Sequence, residues 1–150
     1  VNILETVVLG ATEADIDFNI NVNTHSDGRL LHGIGGHQDT AAGAELAIMM
    51  MPVFRKTNAI IRDRVTTVSA PFHSVDAIVT DMGTAINPAR KDLLKKLKGT
   101  PAKLVDIKEL RDIAYAEAGK PEEPEYLDRI VSVVQFRDGT YLDTIRQVKE

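Results

Sequence analysis

Seven residues, Gly33-Ile34-Gly35-Gly36-His37-Gln38-Asp39, concentrate the chemistry of this sequence. Clustered glycines let backbone N–H groups turn towards a ligand without a Cβ in the way, which suits an oxyanion or an acyl oxygen. The same pattern also fits a tight turn in which Asp39 caps a helix over Thr40–Leu46, its carboxylate accepting the first orphan amides. Other groups carry less. Glu13, Asp15 and Asp17 are spaced by two, so a strand would align them on one face, but a hard cation takes six or so oxygens. They read as a solvated or subunit-facing polar edge, and no metal site is expected. His25, His32 and His73 fall in turns or loops and read as surface histidines. His37 differs only through its place in the glycine loop.

The elements that must position this loop are legible on both sides of it. Ile16, Phe18, Ile20 and Val22 alternate with Asp17, Asn19 and Asn21, the two-residue period of a half-buried strand. Ser26-Asp27-Gly28 then supplies a turn, and Arg29–His32 returns as its partner. After the loop, Ala41–Leu46 suits a short helix and Ala47–Val53 a fully buried strand, which makes Met49-Met50-Met51 core rather than a functional cluster. Further strands are expected at Thr6–Leu9, Ala59–Ile61, Arg64–Ser69 and Val75–Thr80, the last closed by Asp81-Met82-Gly83. Asn87-Pro88 reads as an N-cap and first helical position, opening a helix through Lys98 that Gly99 ends. A short strand at Lys103–Val105 precedes Asp106 and Glu109, a capping-box-like start for a helix running towards Gly119. Lys120–Pro124 is a short linker. Arg129–Phe136 and Thr140–Val148 flank Asp138-Gly139, the signal of a two-residue hairpin.

Composition bounds the function. With 150 residues the chain fits one domain, 1–150, and 43% hydrophobic against 27% charged residues permits an ordinary packed core. A net charge of -4 argues against a general nucleic-acid binder. The absence of cysteine excludes disulfides, thiolate nucleophiles and iron–sulfur ligation, and agrees with a cytoplasmic location. The apolar run Leu46–Phe54 is far short of the ~20 residues of a membrane helix. Because the sequence opens at Val1 and enters strand-like residues at once, it reads as part of a longer polypeptide.

The run Gly33-Ile34-Gly35-Gly36-His37-Gln38-Asp39-Thr40-Ala41-Ala42-Gly43-Ala44 follows Leu9-Gly10-Ala11-Thr12-Glu13-Ala14-Asp15 and Asp17-Phe18-Asn19-Ile20-Asn21-Val22. Together they resemble the C-terminal half of the citrate lyase α subunit family, the citrate CoA-transferase component. The resemblance continues through Arg64-Val65-Thr66-Thr67, Val79-Thr80-Asp81, Ala85-Ile86-Asn87-Pro88-Ala89-Arg90-Lys91-Asp92-Leu93 and Phe136-Arg137-Asp138-Gly139-Thr140. It implies a CoA-transferase-like α/β fold with a mainly parallel sheet flanked by helices, paired with an N-terminal half of the same subunit. It implies exchange of acetyl for citrate on the CoA-like prosthetic thioester (phosphoribosyl dephospho-CoA type) of an acyl carrier (γ) subunit, the β subunit then cleaving the citryl thioester. No tightly bound cofactor is expected in this domain.

On that reading Gly35 and Gly36 supply backbone oxyanion donors, while Gly33, His37, Gln38, Asp39 and Thr40 line the substrate or thioester site. No residue matches the glutamate nucleophile of related CoA-transferases, so the nucleophile is expected upstream or replaced by direct attack of citrate. The basic helix of Arg90, Lys91, Lys95, Lys96 and Lys98 reads as a solvated face or, more sharply, a docking surface for an acidic carrier subunit. Two other readings remain open: a non-catalytic domain of the same fold sensing an acyl-CoA or sugar phosphate, and a structural half that scaffolds the complex.

Overall fold

Short strands and three helices frame the structure, a computed structural model describing residues 4–149. Thr6–Gly10 (β1), Leu46–Met50 (β4) and Ala77–Val79 (β8) are parallel neighbours, and Thr84–Ile86 (β9) closes the sheet antiparallel to β8. A second, smaller sheet has Glu13–Asp15 (β2) between Ile20–Asn21 (β3), antiparallel, and Ile61–Arg62 (β7), parallel. Phe54–Arg55 (β5) and Asn58–Ala59 (β6) form a minimal hairpin. The helices are His37–Gly43 (α1), Lys91–Leu97 (α2) and Ile107–Ala118 (α3), with a 3₁₀ turn at Phe72–Ser74. One apolar cluster joins Phe18, Ile20, Ala41, Met49, Val53, Ile61, Ile78 and Leu110, so both sheets, α1 and α3 share a core. Among the described residues no helix is long and apolar enough to cross a membrane.

The mainly parallel α/β arrangement is the one expected, and α3 follows its signals closely. Asp106 is the N-cap and its carboxylate accepts from the Lys108 amide at 2.8 Å; Gly119 closes the other end. Ile107, Leu110 and Ala114, spaced by three and four, are the buried face. The C-terminal ribbon of Tyr126–Gln135 (β10) and Tyr141–Val148 (β11) also forms as expected. Its turn has three residues rather than two, because Gly139 takes φ +92 and donates to Phe136 O, while Phe136 N reaches Thr140 O.

Several expectations need correction. The alternation at 16–22 does not make one strand: β2 ends at Asp15, whose carboxylate accepts from the amides of Asp17 and Asn19 and folds the chain back, with buried Phe18 at φ +66. Asx-type bonding beats the ladder there. No strand forms over Arg64–Ser69, because its amides find carboxylates instead: Val65 N to Asp15, Thr66 N to Glu13 and Val68 N to Asp143. Arg29–His32 and Lys103–Val105 each make one isolated bridge, at Leu30 and Leu104. In β4 the burial alternates, and Met50 is exposed while Met49 and Met51 are core. Asn87 does not cap α2, which starts at Lys91; its amide is buried and donates to Phe72 O and Val75 O.

The polar edge is overturned most clearly. Glu13 and Asp15 are fully buried, and only Asp17 faces solvent. Glu13 pairs with buried Arg62 and also accepts from Asn21 and from Thr66. Among the described residues no acidic or histidine cluster is arranged to hold a metal.

Burial pushes the Asp15 carboxyl above its ordinary range, although four N–H donors converge on it, from Asp17, Asn19 twice, and Val65. Asparagine at this position must turn its own NH₂ against one pair of donors. Asp15→Asn should therefore cost about 1–3 kcal/mol in urea denaturation, while exposed Asp17→Asn stays within about 0.5 kcal/mol. Equal stabilities would show that the four contacts do not hold the turn.

Candidate functional site

The glycine loop leads from irregular backbone after Leu30 into α1, beside the end of β1. Gly35 takes φ +57, a conformation that suits glycine, and Gly36 is the N-cap at φ -89, ψ 5. The helix thus starts three residues earlier than the Asp39 cap reading requires. Asp39 is the third helical residue, its side chain exposed and 3.8 Å from Arg137 on the ribbon turn. No side chain caps α1, and among the described residues no hydrogen bond engages the N–H of Gly35 or Gly36. Both lie on the surface as available donors.

Gly35 is explained by its φ, but glycine at 10, 33 and 36 has no internal explanation. A Cβ added at Gly10, Gly33 or Gly36 would meet nothing within 4 Å, and none of the three has the left-handed φ that favours glycine. Gly28 and Gly83 are the opposite case, since a Cβ there would lie within 3 Å of Tyr126 and Val105. Glycine costs roughly 0.5–1 kcal/mol of extra chain entropy when a residue is ordered in regular structure. The three around the loop are therefore suited to a close approach from outside the described fold.

The side chains of the loop are committed inwards. His37 Nε2 lies 3.0 Å from Gly10 O; a carbonyl only accepts, so this nitrogen carries the proton and ties the end of β1 to the start of α1. Nδ1 is buried without a partner, and burial lowers the pKa of the ring, with His32 adding to the shift. Gln38 is buried and its amide donates to Ser69 O at 2.9 Å. Thr40 Oγ1 lies within hydrogen-bond distance of Gly36 O and His37 O. Apart from the exposed Asp39 side chain, what the loop presents to solvent is backbone: Gly33, Gly35 and Gly36.

Sequence reasoning missed Asn23 and Ser69, both buried. Asn23 takes both ends of its side chain into the site's support, Nδ2 donating to His32 O at 3.1 Å and Oδ1 accepting from Ser69 Oγ at 2.5 Å. Amides at Asn19, Asn21 and Asn23 alternate with apolar residues, a pattern that looked like an exposed strand face. For Val22 and Asn23 the partner, Ser69, lies 47 and 46 residues further on, beyond any local signal.

Elsewhere a half-open cleft of about 420 Å³ lies between the end of α3, the base of the ribbon and residues 62–66. Asp63 is paired with Arg111 and Lys120, and Asp143 accepts the Val68 amide, so much of its charge is compensated. None of its lining residues comes from the glycine loop. On α2, Arg90 is bound by Asp76 and Asp92, which leaves the lysines as the exposed basic face.

The geometry defines a mixed α/β fold with a mainly parallel sheet, in which a glycine turn feeds a short helix and offers free amides beside a strand end. The chain belongs to the citrate lyase α-subunit family: the family model described as "Citrate lyase, alpha subunit (CitF)" matches residues 1–148. It is 48% identical to the citrate lyase alpha chain of Klebsiella pneumoniae over 97% of this chain and 29% of that one. The corresponding chain of Escherichia coli (strain K12) is 45% identical over 98% and 29%. The crystal structure of the putative α subunit of citrate lyase in complex with citrate from Streptococcus mutans superposes with a TM-score of 0.96. It is 42% identical and covers 99% of this chain and 29% of that one. The fold recurs in a solved structure of a RipA mutant, at 18% identity and a TM-score of 0.54 over 74% of this chain and 27% of that one. The chain spans about 29% of the length of the curated citrate lyase relatives it matches.

The His37 shift sets a pH dependence. Its folded pKa lies below 6.5, so the native state binds fewer protons than the unfolded chain as the pH falls from 6.5 towards that value. The contribution to stability is full above 6.5 and is lost as the pH falls through the window below it. A proton NMR titration of the His37 ring should give a midpoint under 6.5, and His37→Asn should flatten the acid side of the stability curve. A midpoint at or above 6.5 would contradict the burial of the ring, since the bond from Nε2–H to Gly10 O by itself favours the protonated form.

Proposed function

We propose that this domain holds the reacting carbonyl in an acyl exchange in which citrate replaces acetyl on a CoA-like prosthetic thioester. The thioester is presented by an acyl carrier subunit and works within a citrate lyase complex whose β subunit cleaves the citryl product. Membership of the α-subunit family supports the class of reaction. The citrate present in the Streptococcus mutans relative supports citrate as the incoming carboxylate. The observation that carries the assignment to this loop is the set of glycines at 10, 33 and 36 that the fold itself does not require, beside free amides at Gly35 and Gly36.

The chemistry needs such donors. When a carboxylate oxygen attacks the acetyl thioester carbon, the carbonyl oxygen gains negative charge, the C–S bond breaks and an anhydride and the carrier thiolate form. For the exchange to finish, the thiolate attacks the citryl carbonyl of an anhydride, making the citryl thioester as the carboxylate it was joined to leaves. Amides held in place beforehand stabilise that oxygen by about 3 kcal/mol each, with no reorganisation at the moment of reaction. Gly33 lets the arm pass close to the backbone, and His37 and Thr40 fix the turn and first helical residues rather than donating to citrate. Asp39, near Arg137, lies at the margin where a carboxylate substrate would need a cation nearby.

The test is Gly36→Val in the complete α subunit, assayed for acetyl-to-citrate exchange with the carrier. Its Cβ has open space and its φ is ordinary, so the melting temperature should stay within a degree or two. Displacing the thioester by ~1 Å should lower exchange about a hundredfold. A variant that melts like the parent and exchanges at the parental rate removes the loop from the reaction.

A further inference from the structure

The loop is held at both ends by one buried polar unit, which serves no evident purpose in the hydrophobic core. Asn23 takes the entry: its backbone carbonyl accepts from Leu31 N at 2.7 Å and its side-chain amide donates to His32 O at 3.1 Å. Ser69 takes the exit, its carbonyl accepting from the Gln38 side chain at 2.9 Å. The two halves are joined, since Ser69 Oγ donates to Asn23 Oδ1 and accepts from Val22 N. Ser69 and Ala70 are in turn bonded to Ile20 O in β3. Asn23 and Gln38 are 5% exposed and Ser69 is 0% exposed, so water does not compete for these bonds.

We infer that Asn23 and Gln38, coupled through Ser69, are positioning residues that set the span of the glycine loop and so the direction of the Gly35 and Gly36 amides. Both side chains are buried and bonded inwards rather than presented to solvent. The inference rests on the transferase reading above. Apolar packing reaches the loop only through Ile34, half-buried against the core, and cannot by itself aim the glycine amides; directional bonds to the two flanks add what that contact lacks. Loosening either flank should leave substrate binding nearly intact and misalign the donors in the transition state, so kcat should fall more than KM rises.

The experiment uses the complete α subunit with its carrier, comparing Asn23→Ala and Gln38→Met with the parent. Gln38→Met keeps the length of the side chain and removes its amide, and with it the donor bonded to Ser69 O. Hydrogen exchange followed by mass spectrometry should quicken in a peptide covering 31–38 and stay unchanged across 107–118, in α3. Exchange kinetics should show kcat lowered about 10- to 100-fold, with the KM for citrate within about threefold. Unchanged protection of 31–38 overturns the inference, and so does quickened exchange spread over both peptides with kcat falling only in step with stability. A loosened loop with parental kcat overturns it as well, and Gly36→Val then identifies the fault. If Gly36→Val is inactive, only the clamp is wrong; if it is fully active, the assignment of the reaction to this loop fails too.

Discussion

The buried ion pair between Glu13 and Arg62 is the constraint on which the remaining architecture rests. Placing both charges out of water is expensive, and removing either partner typically costs about 3–5 kcal/mol because the other is stranded. Glu13 meets that demand by accepting from three residues, Arg62, Asn21 and Thr66, which belong to separate parts of the chain. With Asp15 it welds β2 to β3, to β7 and to the irregular segment that follows. Segments too short to be stable strands alone are thereby held in register by side chains.

Carboxylates do similar work elsewhere. Asp76 accepts the Ala47 amide at the start of β4, Asp81 accepts Val53 N beyond its end, and Asp143 of the ribbon accepts Val68 N. Each acid satisfies a backbone donor that a longer sheet would have paired with a carbonyl. The net acidity of the chain therefore says little about its partners, since several of the acids are internal fittings.

This explains which parts of the molecule were legible in the sequence. Local chemistry was read well: the Asp106 cap and Gly119 stop of α3, the place though not the length of the turn before β11, the β-branched run of β1, and the glycine loop as a passage into a helix. What failed were the places where a polar side chain answers a backbone group far away. The alternation from Ile16 to Val22 was a true periodicity with a false meaning, because Asp15 bends the chain and Asn21 and Asn23 face inwards. The Val65–Val68 run has good strand propensity and no ladder, for the same reason. Of the site, the loop and its glycines were visible, whereas the turning inwards of Gln38 and His37 depends on Ser69 and Gly10, 31 and 27 residues away.

A division of labour follows between the two kinds of interaction. Burial of Phe18, Ile20, Met49, Ile61, Ile78 and Leu110 supplies non-directional stability, worth about 1.5–3 kcal/mol for each large side chain. Such packing tolerates small shifts and cannot specify where an exposed backbone amide points. The polar unit of Asn21, Asn23 and Ser69 lies between that core and the loop, bonded to β3 on one side and to His32 and Gln38 on the other. An entirely apolar seam of equal volume could match its stability, and buried polar groups are often no more stabilising than such replacements. It could not carry orientation outward to a turn made mainly of glycine. A turn that presents mainly glycine backbone has to be held from behind, and here buried Asn23 and Ser69 bond to the residues that flank it.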